Sequence, residues 1–277
     1  MGFFHVSMAF MQTFSVSASV LNFSPEVADH FNKLGIGVEL SAFSLPYNLA
    51  ADRLPTLVEQ TAKLLANFKG PVSMHGPFFD MNPIARDPWI LEVCQKRMLQ
   101  SLELADRLGA RQLVFHANYV PHRAKEHDRI FVEKQLDYWP SLVRAAERYD
   151  IRLLLENTRE HSPKLLYNIL APINSSHFKA CLDTGHTHCF THSKLPLKDW
   201  LLGLGEQLAY VHLHANHGER DEHLAYTDGN QDFSGFFEGL QALPEWPDLI
   251  IEVKTRTAFL RSLGALQRAG YLAPAYV

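Results

Sequence analysis

The chain has 277 residues, of which 47% are hydrophobic and 20% charged, a composition typical of globular proteins that excludes a disordered or fibrous one. Its 26 basic and 30 acidic side chains give a net charge of -4, so no overall positive charge indicates a nucleic-acid or membrane partner. Three cysteines are too few for a disulfide framework, whereas 15 histidines is an unusually high number.

Strands and helices alternate along the whole chain. The hydrophobic pattern predicts strands, in chain order, at 13–19, Gly37–Leu40, Val72–His75, Gln112–His116, Arg152–Glu156, Phe178–Asp183, 209–214 and 249–253. Between them it predicts helices at 25–35, 49–68, 89–108, 131–149 and 164–170, with a last helix at 257–268.

This alternation predicts a (β/α)8 TIM barrel, since no Pro/Ser-rich linker divides it. A doubly wound sheet is less favoured, because the glycine-rich phosphate motif of that fold is missing after every strand. We expect residues 12–277 to form one barrel domain and residues 1–11 to be an N-terminal extension.

No targeting segment is apparent in the sequence. The first basic residue is Lys33, so the apolar start lacks the positive region of a signal peptide, and no run of 18 apolar residues could span a bilayer. We therefore expect a cytoplasmic protein with no membrane partner. A homodimer is the default assembly, because dimers are the commonest oligomers.

Six consecutive predicted strands end in a side chain that can bind a metal ion: His75, His116, Glu156, Asp183, His212 and Glu252. Active sites of barrels lie at the carboxyl ends of the strands, so these side chains should converge on one mouth. His186, Asp221 and His223 lie just beyond strand ends and can join them. Imidazole and carboxylate ligands without a thiolate suit zinc, manganese, cobalt or iron.

These motifs resemble the xylose isomerase-like TIM barrels, a superfamily that contains endonuclease IV and many sugar isomerases and epimerases. The resemblance covers residues 12–270 and rests on Met-His75-Gly-Pro, Val-Phe-His116-Ala-Asn, Leu-Leu-Glu156-Asn-Thr, Cys-Leu-Asp183-Thr-Gly-His186, Val-His212-Leu-His and Ile-Ile-Glu252. In the isomerases, the positions similar to Glu156, Asp183, His212 and Glu252 hold one divalent metal. There the two glutamates also act as acid and base on a bound sugar.

Endonuclease IV is similar at these four positions and at five more, and it binds three zinc ions. By resemblance, the first zinc would take His75, His116 and Glu156, the second Glu156, Asp183, His212 and Glu252, and the third His186, Asp221 and His223. Nine ligands exceed what a one-metal isomerase needs, and neighbouring cations suit phosphodiester cleavage.

Three functions follow as hypotheses. The first is a zinc-dependent phosphoester hydrolase, with Mn2+, Co2+ or Fe2+ as alternative metals. The second is a metal-dependent sugar or sugar-phosphate isomerase or epimerase with Glu156 and Glu252 as its catalytic residues. The third is a barrel that binds a metal or ligand without catalysis.

The substrate is expected to be a small phosphoester or a sugar. Duplex DNA is not favoured, since the predicted strand-end loops 78–87 and 118–128 carry only Arg86, Arg123 and Lys125 as basic residues. The Gly-Val-Glu39-Leu strand end looks like that of the sugar isomerases. The side chains expected to contact the substrate are Glu39, His214, Arg220 and Lys254.

Overall fold

The computed structural model describes residues 13–124 and 126–272, and in these ranges eight parallel strands close into a barrel. The strands follow one another around the barrel in chain order, and β1 closes it by pairing with β8. They are β1 (Val16–Val20), β2 (Gly37–Leu40), β3 (Val72–His75), β4 (Gln112–His116), β5 (Arg152–Glu156), β6 (Phe178–Asp183), β7 (Leu208–Leu213) and β8 (Asp248–Ile251). The predicted (β/α)8 fold is confirmed, while the predicted extension 1–11 lies outside the described residues.

Helices cover the outside of the barrel. They are α1 (Pro25–Leu34), α2 (Leu54–Leu65), α3 (Pro88–Leu108), α4 (His127–Tyr149), α5 (Pro163–Ile173), α6 (Thr184–Cys189), α7 (Leu197–Leu204), α8 (Phe236–Gln241) and α9 (Arg256–Arg268). The sequence did not predict α6, α7 and α8, which have six, eight and six residues and are too short to display a helical period. Along the described residues, no helix combines the length and apolarity needed to cross a bilayer.

Several element ends differ from the prediction. Helix α2 begins at Leu54 rather than at 49, because the chain first makes two 3₁₀ turns, Ser41–Ser44 and Pro46–Leu49. Strand β8 ends at Ile251, so Glu252 follows the strand instead of lying inside it. The predicted start of α1 is confirmed, since the Ser24 hydroxyl accepts the N–H of Val27 at 3.3 Å.

A layer of buried side chains closes the barrel interior below the mouth. Because side chains alternate along a strand, a residue two positions before a ligand points to the same interior face. The cluster at this level consists of Val114, Leu154, Cys181, Tyr210 and Ile250, each two residues before a predicted metal ligand. The predicted ligands therefore lie above a packed layer of side chains, on the side of the carboxyl ends of the strands.

Candidate active site

Glu156 lies at the centre of the converging strand ends. Its Oε2 atom lies 3.2 Å from Nε2 of His75 and 3.2 Å from Nε2 of His116, on the two preceding strands. Its Oε1 atom lies 3.3 Å from Nδ1 of His212 on β7. One carboxylate thus faces two separate groups of nitrogen atoms, which is the arrangement expected of a bridging ligand.

The ring of His212 is oriented for metal binding. Its Nε2–H donates to Oε2 of Glu39 at 3.0 Å, which leaves the lone pair on Nδ1. That buried Nδ1 has no hydrogen-bond partner in the part of the chain that the structure describes. It lies 3.2 Å from Oε2 of Glu252 and 3.8 Å from Oδ2 of Asp183. A lone pair facing carboxylate oxygens fits a cation between them, with Glu39 as the supporting carboxylate.

Three further histidines have their ring orientation fixed by a backbone carbonyl. In each ring Nδ1–H donates to a carbonyl oxygen and Nε2 is left for a ligand. They are His75 on Gly76 at 2.8 Å, His186 on Asn157 at 2.9 Å and His223 on Glu252 at 3.1 Å. The Nε2 atoms of His186 and His223 then lie 3.6 Å and 2.8 Å from Oδ2 of Asp221.

Asp221 and His223 reach the site on the loop that follows β7. An antiparallel bridge between Ala215 and Leu224 fastens this loop, with N–H···O distances of 3.1 Å and 2.9 Å. The Lys254 ammonium also donates to the Asp221 carbonyl oxygen at 2.8 Å. This loop is therefore held by the bridge, by Lys254 and by the bond from the His223 ring to the Glu252 carbonyl oxygen.

The electrostatics of the site favour a bound cation. Burial would raise the pKa of Glu156, but the neighbouring His116 and His212 outweigh it and hold that pKa well below its ordinary value. Burial would lower the pKa of His186, yet Asp183 and Asp221 raise it well above the usual range. Glu156 is therefore ionised, and the negative field around His186 attracts a proton or a divalent cation.

His116 differs from the other imidazoles of the site. Burial outweighs the attraction of Glu156 and lowers the pKa of His116, which favours the neutral form that a metal ligand needs.

Donor atoms within 4.8 Å of one another form several groups that fit a metal ion, among them His75/His116/Glu156, Asp183/His212/Glu252 and His214/Asp221/His223. The first two groups follow the sets that the resemblance implies. The third contains His214, whereas His186 is grouped with Glu156 and Asp183. These nitrogen and oxygen donors suit zinc, manganese, cobalt or iron. The Cys181 thiol also lies near Glu156 and His212, but burial raises its pKa and disfavours the thiolate.

Two of the predicted substrate contacts, Glu39 and His214, are fully buried among the candidate ligands. Glu39 is 0% exposed, and Oε2 of its carboxylate is occupied by the Tyr210 hydroxyl at 3.1 Å and by His212. His214 is also 0% exposed, since its Nε2 lies 3.0 Å from Oδ2 of Asp183 and its ring stacks on His223 at 4.2 Å. Neither side chain is part of the wall of the cavity above them.

A cavity of about 1450 Å³ opens above the ligands. Of the described residues, Lys254 is part of its wall, whereas Arg220 is exposed to solvent elsewhere. The sequence reasoning missed the wall residues Asn118, Tyr119, Phe78, Phe79, Phe190 and Arg159. Asn118 could have been found, because it is the last residue of the strand-end motif Val-Phe-His116-Ala-Asn.

Comparison with known proteins identifies the family. The model of the xylose isomerase-like TIM barrel family matches residues 34–273. The TTHB071 protein of Thermus thermophilus, in a structure soaked with ZnCl2, is 25% identical, with a TM-score of 0.74 over 94% of this chain and 99% of that one. A D-tagatose 3-epimerase-like protein is 23% identical, with a TM-score of 0.74 over 92% of this chain and 96% of that one.

The uncharacterized protein MJ1311 of Methanocaldococcus jannaschii is 24% identical over 195 residues. That match spans 68% of this chain and 66% of the length of MJ1311. The fold, the strand-end motifs and the match to 34–273 agree: the chain belongs to the xylose isomerase-like TIM barrel family.

Proposed function

We propose that the protein is a metal-dependent isomerase or epimerase of a sugar or sugar derivative, with Glu156 and Glu252 as acid and base. The observation that carries the proposal is their placement on the lone-pair side of His212, 3.3 Å and 3.2 Å from its Nδ1. The nine potential metal ligands in the sequence favour a phosphoester hydrolase as the first hypothesis. The solved relatives, however, include proteins named D-tagatose 3-epimerase-like protein and 3-keto-D-glucoside 4-epimerase, which supports the isomerase alternative.

Four side chains would hold the metal: Glu156, Asp183, His212 and Glu252. When bound, a divalent ion supplies polarisation of the substrate's oxygen atoms, which acidifies the neighbouring C–H bond. Zn2+ is the first choice, with Mn2+, Co2+ or Fe2+ as alternatives. Asp183 is fully buried and bonded to His214 through Oδ2, so it supports the site without exchanging protons with substrate.

The two glutamates divide the proton transfer. The Glu252 side chain is 20% exposed and lines the cavity, so it can take a proton from a carbon next to a carbonyl group and return it. Glu156 is 1% exposed and lines the same cavity, so it can carry a proton to the other side of the substrate, and its lowered pKa favours release of that proton. The packed layer below the ligands keeps water from approaching through the barrel.

Solvent deuterium exchange tests the proposal. Protein loaded with Zn2+, Mn2+ or Co2+ is incubated in deuterated water with a panel of ketoses and keto-glycosides, and loss of the C–H signal is followed by NMR. We expect Glu156→Gln and Glu252→Gln each to lower the exchange rate at least about 100-fold, since general acid–base groups contribute 10²- to 10⁴-fold. The control Glu222→Gln removes a carboxylate bonded to His217 outside the ligand groups and should exchange normally. Undiminished exchange in either active-site variant would contradict the roles assigned.

A second candidate, phosphoester hydrolysis, is favoured by one observation. His75 and His116 flank the second oxygen of Glu156, and Asp221 and His223 add further donors. A hydrolase of this type should carry two or three metal ions per chain, and His116→Ala or Asp221→Ala should abolish its phosphodiesterase activity. About one metal per chain by plasma mass spectrometry, with activity towards sugars, would leave only the isomerase.

A further inference from the structure

The cavity wall contains an unbroken row of aromatic rings that begins at a metal-ligand candidate. The Phe78 ring stacks on His116, with 4.5 Å between ring centroids and 18° between planes. Phe79 packs on Phe78 at 4.3 Å and is 49% exposed. On another side of the cavity, Phe190 lies 5.0 Å from the ring of His186. Apolar surface therefore extends from the ligands to solvent.

The rim of the same cavity carries large apolar side chains that remain exposed. Leu21 and Val120 are each 62% exposed, and with Phe79 they come from the loops after β1, β4 and β3. Scattered exposed apolar residues are ordinary, but several around one concave site indicate a surface that a ligand covers. These three side chains are called the apolar rim below.

The cavity is also larger than a free sugar requires. Its volume is about 1450 Å³, whereas pockets for whole drug-sized ligands usually measure about 300–1000 Å³. A monosaccharide bound at Glu156 and Glu252 would leave the apolar rim uncovered. The remaining space has room for a second group that is joined to the sugar and covers the apolar rim.

We propose that the substrate is a sugar joined to an aromatic group, with the sugar at the metal ligands and the aromatic ring against the apolar rim. The proposal rests on the proposed sugar isomerase or epimerase function and narrows its substrate class. A flat ring can cover Phe79 by stacking, and Leu21 and Val120 are apolar side chains of the same cavity. Free monosaccharides would then be poor ligands.

Calorimetric titration of the metal-loaded enzyme tests this inference. The probes are phenyl and methyl glycosides of D-glucose, D-galactose and D-mannose, compared in pairs. Burial of one aromatic ring should make the phenyl member of at least one pair bind about ten-fold tighter. Equal or undetectable binding in all three pairs overturns the proposal.

Variants locate the aromatic subsite. Phe79→Ala and Leu21→Ala should each weaken phenyl glycoside binding about three- to ten-fold and leave methyl glycoside binding unchanged. Both positions are exposed, so folding should be retained. The controls Trp89→Ala and Leu202→Ala remove side chains that are 80% and 82% exposed outside the described cavity wall, and they should bind as the unmodified protein does. A phenyl preference that survives both rim substitutions also overturns the proposal.

The two proposals can fail separately. Phenyl preference without deuterium exchange on any ketose or keto-glycoside of the panel would support the aromatic subsite and contradict the isomerase function. Exchange of free ketoses with no phenyl preference would support the isomerase function and overturn the aromatic subsite.

Discussion

Replacing Glu160 by Gln should stabilise the protein at alkaline pH and change its stability much less at acid pH. Glu160 is 0% exposed and follows β5 beyond the ligand Glu156. Its Oε2 accepts the backbone N–H of Thr158 at 2.5 Å, whereas Oε1 finds no partner within the described residues. An ionised carboxylate in this place lacks the hydration that it has in the unfolded chain. Burial accordingly raises the pKa of Glu160 to about 7 from its ordinary value of 4.5.

The sign follows from proton linkage. The folded protein binds this proton more tightly than the unfolded chain does. The stabilisation is therefore complete below the unfolded pKa of 4.5 and is lost as the pH rises through about 7. The loss has a limit of roughly 3 kcal/mol, of which about 2 kcal/mol falls between pH 5.5 and pH 9. Gln has nearly the same volume and does not titrate, so it avoids this loss.

Urea unfolding at pH 5.5, 7 and 9 measures the effect. The unfolding free energy of Glu160→Gln is compared with that of the unmodified protein at each pH. In this difference, the contributions of titrating groups that the substitution leaves unchanged cancel. That difference should shift by about 2 kcal/mol in favour of Glu160→Gln over this range. The control Glu103→Gln, at an exposed position of α3, should show no such trend. A constant difference at the three pH values would refute the argument that Glu160 titrates in the folded state.

Three further substitutions test the support of the site and the fold. Glu39→Gln should weaken zinc binding about 10- to 100-fold, because His212 loses its charged acceptor; an unchanged dissociation constant in calorimetry would contradict this. Gly185→Ala places a Cβ inside the contact distance of the His214 ring, so its melting temperature should fall measurably and an unaltered one would be evidence against the close contact. Ser24→Ala removes the N-cap of α1 and should lower the free energy of unfolding in urea by about 1 kcal/mol; an unchanged free energy of unfolding would contradict this.

The strand ends were predictable from sequence because two constraints agree there. Buried parallel strands are short apolar runs, and their carboxyl ends meet at one mouth of the barrel. The sequence therefore predicts that His116 and Glu156 lie close together, as they do in the structure. Strand β8 shows where the pattern stops. The predicted strand continued to Val253, but the hydrogen-bonded register of β8 with β7 ends at Ile251, because the residue pattern does not record pairing.

Depth within the barrel was not predictable in the same way. Glu39 is the penultimate residue of β2 and Glu156 the last residue of β5, yet Glu39 bonds to the far side of the His212 ring and is level with Ser73, two residues before His75. The difference arises from the stagger between strands, which single strand patterns do not contain. The aromatic wall was missed for another reason: Phe78 and Phe79 lie on a loop, where no period distinguishes a ligand-binding ring from a packing one.

The bridge between Ala215 and Leu224 has a consequence for how this site can change. Asp183, His212 and Glu252 are tied to the sheet or to its immediate exit, so they persist as long as the barrel does. Asp221 and His223 belong to one fastened segment, residues 216–223, that can be shortened or released without altering a strand. The candidate ligands Asp221 and His223 are thus both carried by one loop. A barrel of this kind can lose or gain one of its candidate metal sets through changes in a single loop, while the candidate ligands at the strand ends remain in place.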